Sequence, residues 1–134
     1  MNEADVKAAV ESVASLGGAD YPTIVERLRQ AGIEGYRTDV GAHSIVYRGG
    51  GATYTDRGEP VAPTGSAAGI FSASAVAAAL VAINAEQIDY TTFLRQLWDA
   101  GITNYEVDLV AKRISFNGAR GESHVEQIPE PVRG

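Results

Sequence analysis

The chain contains one segment twice, and this repetition constrains its fold more than any other feature. The segment from Tyr90 to Gly118 aligns without a gap on the segment from Tyr21 to Gly49, at an offset of 90 − 21 = 69 residues. The identical pairs at this offset are Tyr21/Tyr90, Thr23/Thr92, Leu28/Leu97, Ala31/Ala100, Gly32/Gly101, Ile33/Ile102, Tyr36/Tyr105, Asp39/Asp108, Ile45/Ile114 and Gly49/Gly118. So many identities at a single offset indicate a duplicated unit.

Each copy begins with helical periodicity and ends with the periodicity of strands. Val6, Val10 and Val13 recur at helical spacing, and the alternation of Tyr36–Val40 is typical of a strand. We therefore predict an α+β fold class, with two tandem α-α-β-β(-β) repeats, pseudo-twofold symmetry and an antiparallel sheet covered by four helices. The segment Ala75–Ala85 is apolar nearly all round, which predicts a central helix buried on several sides.

The same pattern predicts a single domain. The first repeat covers residues 1–58, a connection covers 59–71, the second repeat covers 72–128, and a polar tail covers 129–134. A unit of about 60 residues has little core of its own, so the two repeats are expected to fold against each other.

The composition excludes several classes of function. With 11 basic and 17 acidic residues, the net charge is −6, which disfavours nucleic acid or an anionic membrane as the main partner. The chain has no cysteine, so disulfides, thiolate metal sites and cysteine nucleophiles are excluded. The acidic first residues lack the features of a signal peptide, and no apolar run is long enough to span a bilayer. We expect a cytoplasmic monomer or homodimer that uses neither a cofactor nor a metal.

The densest polar cluster lies near the end of the chain, in a segment with the alternation of a strand. Alternation places Val125 on one face of this strand and the polar residues on the other. With Val125 toward the helices, the polar residues are expected on the open face of the sheet. A histidine flanked by carboxylates suits general acid–base catalysis. The candidate catalytic residues are His124, Glu122 and Glu126.

Four further residues are candidates for binding a substrate. Glu106 and Asp108 have the parity to lie beside the histidine on the open face. Tyr36 and Tyr105 are boundary aromatics whose hydroxyls are expected to reach a polar rim. Asp108 has a second interpretation, because an aspartate before a hairpin turn commonly accepts hydrogen bonds from the turn amides.

The Glu-His-Glu tract also has interpretations without catalysis. Charged residues on an edge strand discourage edge-to-edge aggregation. A metal site would need further ligands, and His43 is the only other histidine. An asymmetry between the halves favours function, since at the 69-residue offset the corresponding residues are Thr53, Thr55 and Arg57. The cluster is therefore expected in one half only.

Several tracts identify a resemblance to a known family. They are Ile88-Asp-Tyr90, Phe93, Ala100-Gly101, Tyr105-Glu-Val-Asp108, Arg113-Ile-Ser-Phe116-Asn-Gly118 and Gly121-Glu122-Ser-His124-Val125-Glu126. With them the chain resembles the YdfO-like family of unknown function, whose members are often labelled phage envelope protein. The resemblance implies a small duplicated α+β domain, and it implies no established catalytic residues.

Two functions from different classes follow as hypotheses. The first is a small-molecule-binding protein that, if catalytic, is a cofactor-independent acid/base enzyme of the isomerase or cyclase type. The second is a phage-derived regulatory or protein-interaction module without catalysis. A concave site beside His124 favours the small-molecule ligand, and a flat acidic sheet favours the protein partner.

Overall fold

The structure is a computed structural model that describes residues 2–14, 21–62, 68–85 and 87–128. Within these residues there are four helices and six strands. The helices are α1 (Glu3–Ala14), α2 (Tyr21–Gln30), α3 (Ala73–Asn84) and α4 (Tyr90–Asp99). The strands are β1 (Gly35–Asp39), β2 (Ser44–Gly49), β3 (Ala52–Arg57), β4 (Ile102–Asp108), β5 (Arg113–Gly118) and β6 (Ser123–Gln127). A third strand is therefore present in each half.

The strands form one open antiparallel sheet in the order β3-β2-β1-β4-β5-β6. β1 and β4 are neighbours at its centre, where Arg37 lies opposite Glu106. α1 packs against β3 and β2, and α4 packs against β4, while α2 contacts α1 and α3 contacts α4. The predicted α+β class, with four helices and an antiparallel sheet, is confirmed for the described residues.

Alternation along the central strands separates two sides of the sheet. Tyr36 and Thr38 of β1 are buried, whereas Arg37 between them is exposed. Val107 of β4 is likewise buried and Glu106 is exposed. We call the buried side the helix-facing side and the other the open side. The two sides differ because successive strand residues point in opposite directions.

The hydrophobic core lies between the helix-facing side and the helices. Its most deeply buried apolar side chains come from helices, strands and turns alike: Val6, Val25, Ile33, Val40, Val76, Leu94, Leu97, Ile102, Val107, Leu109 and Phe116. Each large apolar side chain removed from water contributes about 1.5–3 kcal/mol, so this layer holds the helices on the sheet.

The prediction of a central helix at Ala75–Ala85 is wrong. Val76 and Ala79 of α3 are buried, but Val81 is 68% exposed and Ala78 is exposed as well. α3 packs mainly on α4, so a single stripe of the helix is covered. Alanine is the best helix former without needing burial, and the apolar composition of α3 therefore overstated how much of it is enclosed.

The connection between the halves returns to the end of α4. The Ser72 N–H donates to the Ala100 carbonyl at 2.9 Å. Gly101 has a φ of 84°, and a Cβ at this position would lie 2.5 Å from the Phe71 nitrogen. The close approach and the left-handed conformation both require glycine there. The predicted tail 129–134 lies outside the described residues.

A side-chain cap starts α4, the helix that carries Tyr90 and Phe93 onto the sheet. Asp89 Oδ1 accepts a hydrogen bond from the Thr92 N–H at 2.7 Å, as the sequence predicts for an N-cap aspartate. This hydrogen bond is the main reason why the pKa of Asp89 lies below its usual value, because it favours the charged carboxylate.

The cap predicts how stability depends on pH. Because the folded pKa of Asp89 is depressed, its contribution is present above the unfolded pKa of about 3.9 and is lost as pH falls through the folded pKa. Asp89→Ala is therefore expected to destabilise the fold at pH 7 and to approach the wild type in stability near pH 2.5. Urea unfolding at both pH values measures this. Asp89→Asn is the matched control, because asparagine caps without titrating. An equal deficit of Asp89→Ala at both pH values would contradict the assignment.

Candidate functional site

The predicted facing of β6 is inverted in the structure. Val125 is 52% exposed, whereas His124 is partly buried. In the ladder with β5, His124 lies opposite Phe116, which is only 1% exposed and faces the helices. Glu126 lies opposite the buried Ile114. The expectation that Val125 faces the helices was wrong because register with β5, and not the polarity of one edge residue, determines the facing of β6.

His124 and Glu126 form a hydrogen-bonded pair on the helix-facing side. His124 Nε2 lies 2.7 Å from Glu126 Oε1. The imidazole also stacks on the Phe116 ring, with centroids 6.4 Å apart and an interplanar angle of 29°. A carboxylate only accepts hydrogen bonds, so Nε2 carries the proton and the neutral ring has its lone pair on Nδ1. The pair therefore presents a base whose orientation is held by two contacts.

The other predicted acidic residues do not join this pair. Glu122 Oε1 accepts from the Arg120 N–H at 2.9 Å, which engages that carboxylate in the β5–β6 turn. Glu106 lies on the open side, where it pairs with Arg37 at 3.1 Å. Asp108 Oδ1 accepts from two amides of the β4–β5 turn, as its second interpretation predicted. The predicted cluster of carboxylates around a histidine on the open side is therefore absent from the described residues.

Tyr36 and Tyr105 belong to a layer of aromatic rings on the helix-facing side. The layer takes one ring from each strand, in sheet order: Tyr54, Tyr47, Tyr36, Tyr105, Phe116 and His124. Neighbouring centroids lie between 5.3 and 6.5 Å apart. We call this set the aromatic layer. His124 and Tyr54 are its two ends, at the two edges of the sheet.

Hydroxyl groups meet at the centre of the aromatic layer. The Tyr90 hydroxyl, from the first turn of α4, lies 2.6 Å from the Tyr105 hydroxyl. Thr38, directly opposite Tyr105, is fully buried, and its hydroxyl makes no hydrogen bond of normal geometry. Burial raises the pKa of Tyr90, although the nearby Tyr105 and Thr38 hydroxyls partly offset the rise. These phenols therefore remain neutral hydrogen-bonding groups.

His43 approaches the same hydroxyl cluster from the β1–β2 turn. It has a φ of 53°, and its ring lies 5.5 Å from that of Tyr90. Its Nδ1 lies 3.0 Å from the Glu59 carbonyl oxygen. A carbonyl oxygen accepts, so Nδ1 donates and the neutral ring keeps its lone pair on Nε2.

The β3 edge carries a second pairing of ring and carboxylate that the sequence analysis missed. Tyr54 lies opposite Tyr47, and their rings stack at 6.4 Å with an interplanar angle of 15°. Asp56, two residues further on, lies opposite the buried Ile45. The signal was available, because a turn that pairs Gly49 with Ala52 also pairs Tyr47 with Tyr54.

This arrangement corrects the predicted asymmetry between the halves. Thr53, Thr55 and Arg57 are not the counterparts of the β6 cluster, since they alternate with Tyr54 and Asp56 along β3. By register, His124 and Glu126 match Tyr54 and Asp56, at offsets of 124 − 54 = 70 and 126 − 56 = 70. The β5–β6 loop is one residue longer than the β2–β3 loop, which shifts the parity by one.

Two further searches returned nothing in residues 2–14, 21–62, 68–85 and 87–128. No three His, Cys, Asp or Glu side chains in these ranges converge as a metal site would require. None of the helices there combines the length and the apolar character needed to cross a bilayer.

Comparisons with known proteins place the chain in a family. It is similar to the uncharacterized protein Rv2012 of Mycobacterium tuberculosis and to the uncharacterized protein Mb2035 of Mycobacterium bovis. Each is 27% identical over 116 residues, which cover 85% of this chain and 71% of the relative. Neither description contains the YdfO-like name or the phage-envelope label, which stay predictions. A model of the family described as "Protein of unknown function (DUF1398)" matches residues 7–126. The chain therefore belongs to the DUF1398 family of proteins of unknown function.

Proposed function

We propose that this protein binds a small molecule at the β6 edge of the helix-facing side, with His124 and Glu126 as its polar contacts. The observation that carries the proposal is the 2.7 Å hydrogen bond between their side chains, beside the buried ring of Phe116. The side chains of His124 and Glu126 are 26% and 35% exposed. A ligand can therefore reach both groups while part of its surface lies against the sheet.

In the catalytic form of this proposal, His124 is the catalytic residue and Glu126 is the positioning residue. The carboxylate holds the Nε2–H, so Nδ1 is the atom that accepts a proton from the substrate. The imidazolium that forms is stabilised by the same carboxylate. It can return the proton at another substrate atom, which is the chemistry of an isomerase or a cyclase, and this transfer needs no cofactor.

The surroundings of the pair indicate the class of substrate. A single oriented base beside an aromatic ring suits a carbonyl compound with an acidic C–H next to the carbonyl group. Tyr105 and Tyr36 are buried, so in this proposal they support the site from beneath and do not contact the substrate. Glu122, Glu106 and Asp108 take no part, because their contacts lie elsewhere.

Exchange of hydrogen for deuterium next to the carbonyl group of small ketones and keto acids tests this proposal. The protein is expected to accelerate the exchange beyond free imidazole at equal concentration, as followed by NMR. His124→Gln should remove about 10²–10⁴-fold of the rate, the usual size of general acid–base catalysis. Glu126→Gln should lower the rate less, because the base remains but loses its orientation.

The second histidine supplies the matched control for this experiment. His43→Gln changes the same residue type on another element, and it should leave the exchange rate unchanged. Loss of exchange in His43→Gln but not in His124→Gln would refute the assignment. So would a wild-type rate no higher than that of free imidazole.

We also infer that the chain arose by duplication of an α-α-β-β-β unit with pseudo-twofold symmetry. Three observations support this inference. The element order occurs twice, the central pair Arg37 and Glu106 is separated by 106 − 37 = 69 residues, and the two turn residues with positive φ, His43 and Lys112, by 112 − 43 = 69. Superposition of β1–β2 on β4–β5 in an experimental structure tests it, and unrelated positions of Tyr36 and Tyr105 would contradict it.

A protein-interaction role is the second candidate function, and the outer face of α3 favours it. Val81 is 68% exposed, and Ile70 before the helix is 91% exposed. In this proposal the face pairs with a second copy of the chain. Sedimentation should then give a dimer for the wild type and a monomer for Val81→Glu. Val110→Glu is the control, because Val110 is 70% exposed but lies in the β4–β5 turn. A wild type that stays monomeric at high concentration would exclude this pairing.

A further inference from the structure

The β3 edge of the aromatic layer is open to solvent and carries an acidic group. Tyr54 stacks on Tyr47 at 6.4 Å. Asp56 lies two residues beyond Tyr54 on the same strand, so alternation places it on the same side of the sheet. Both tyrosines are half-buried and Asp56 is exposed. Rings and a carboxylate are therefore accessible together.

The electrostatic environment of this edge favours a positive ligand. Burial raises the pKa of Tyr47, and the neighbouring Tyr90, Asp56 and Tyr54 groups raise it further. The Tyr47 phenol therefore stays neutral. Asp56 forms no ion pair with any described residue, so its charge is not balanced within the described part of the chain. The net charge of −6 adds a general attraction for cations.

The nearest arginines along the strands do not occupy this edge. Arg48 lies opposite Thr53 and Arg57 lies opposite Ser44 in the β2–β3 ladder. Both positions alternate with those of Tyr54 and Asp56, so these arginines belong to the open side. Their positive charges are thus separated from the tyrosine rings by the sheet itself.

We propose that Tyr47, Tyr54 and Asp56 form a binding site for an organic cation, a small amine or quaternary ammonium compound. The ammonium group would lie against the tyrosine rings, whose electron-rich faces attract cations. The Asp56 carboxylate would balance its charge. A phenol stands here at the position that an imidazole holds on β6, so this edge has no base for proton transfer and serves binding.

Titration with choline tests the proposal on the full chain. The comparison ligand is the uncharged isostere of choline, in which a tert-butyl group replaces the trimethylammonium group. Both are added at constant ionic strength while amide and aromatic NMR signals are recorded. Choline is expected to give saturable shifts at Tyr47, Tyr54 and Asp56, and the isostere is expected to give none of comparable size. Equal shifts with both ligands would overturn the proposal, because they would show apolar contact alone.

Two pairs of variants separate charge from ring and from general effects. Asp56→Asn should weaken choline binding about fivefold, as expected for a partly exposed ion pair. Glu106→Gln removes the same charge from the open side and should change the affinity less than about twofold. Tyr54→Phe keeps the aromatic face and should bind, whereas Tyr54→Leu should lose most of the affinity.

The remaining outcomes also decide the proposal. Equal effects of Asp56→Asn and Glu106→Gln would overturn it, since only the net charge would then matter. Shifts confined to His124 and Phe116, or no saturable shift at all, would overturn it as well. Amide spectra of each variant show whether the fold is kept. If Tyr54→Leu does not fold, the comparison of Asp56→Asn with Glu106→Gln still gives the answer.

Discussion

The antiparallel pairing of β1 with β4 joins two three-stranded halves into one sheet, and the rest of the structure depends on it. The other ladders connect neighbours in sequence, whereas this one connects Arg37 with Glu106, 69 residues further along. Closing so long a loop costs entropy, which burial on the helix-facing side must offset. Thr38 and Tyr105 meet at this ladder and are both buried. Once the pairing has formed, every strand contributes a ring to one continuous aromatic layer.

An open sheet has two edges, and in this protein the edges are where polar chemistry meets the aromatic layer. His124 with Glu126 and Tyr54 with Asp56 combine a ring and a carboxylate two residues apart, each ring stacked on its cross-strand neighbour. The geometry is shared, and the ring decides the chemistry. Imidazole accepts and releases a proton near neutral pH, whereas a phenol does so only near pH 10. One scaffold can thus support an acid–base site at one edge and a binding site at the other.

The open side of the sheet has a different character. Its central pair, Arg37 and Glu106, is more than half exposed on both side chains. Exposed pairs of this kind contribute only about 0–1 kcal/mol, because water competes for both charges. Asp108 is engaged by turn amides on the same side. The acidic residues that first drew attention to this face therefore have ordinary structural roles, and the groups available for chemistry lie between the sheet and the helices.

Local patterns along the chain determined the elements. The alternation of Tyr36–Val40, the cap at Asp89 and the turn contacts of Asp108 all depend on residues close in sequence, so they could be predicted. The facing of the edge strands could not. The alternation of β6 fits either side, and Val125 suggested the wrong one. Only the ladder with β5 places His124 opposite the buried Phe116, after a loop one residue longer than its counterpart before β3. A strand's two faces are exchanged by a shift of one residue, and the hydrogen-bonded partner that sets this register is known only from the tertiary structure.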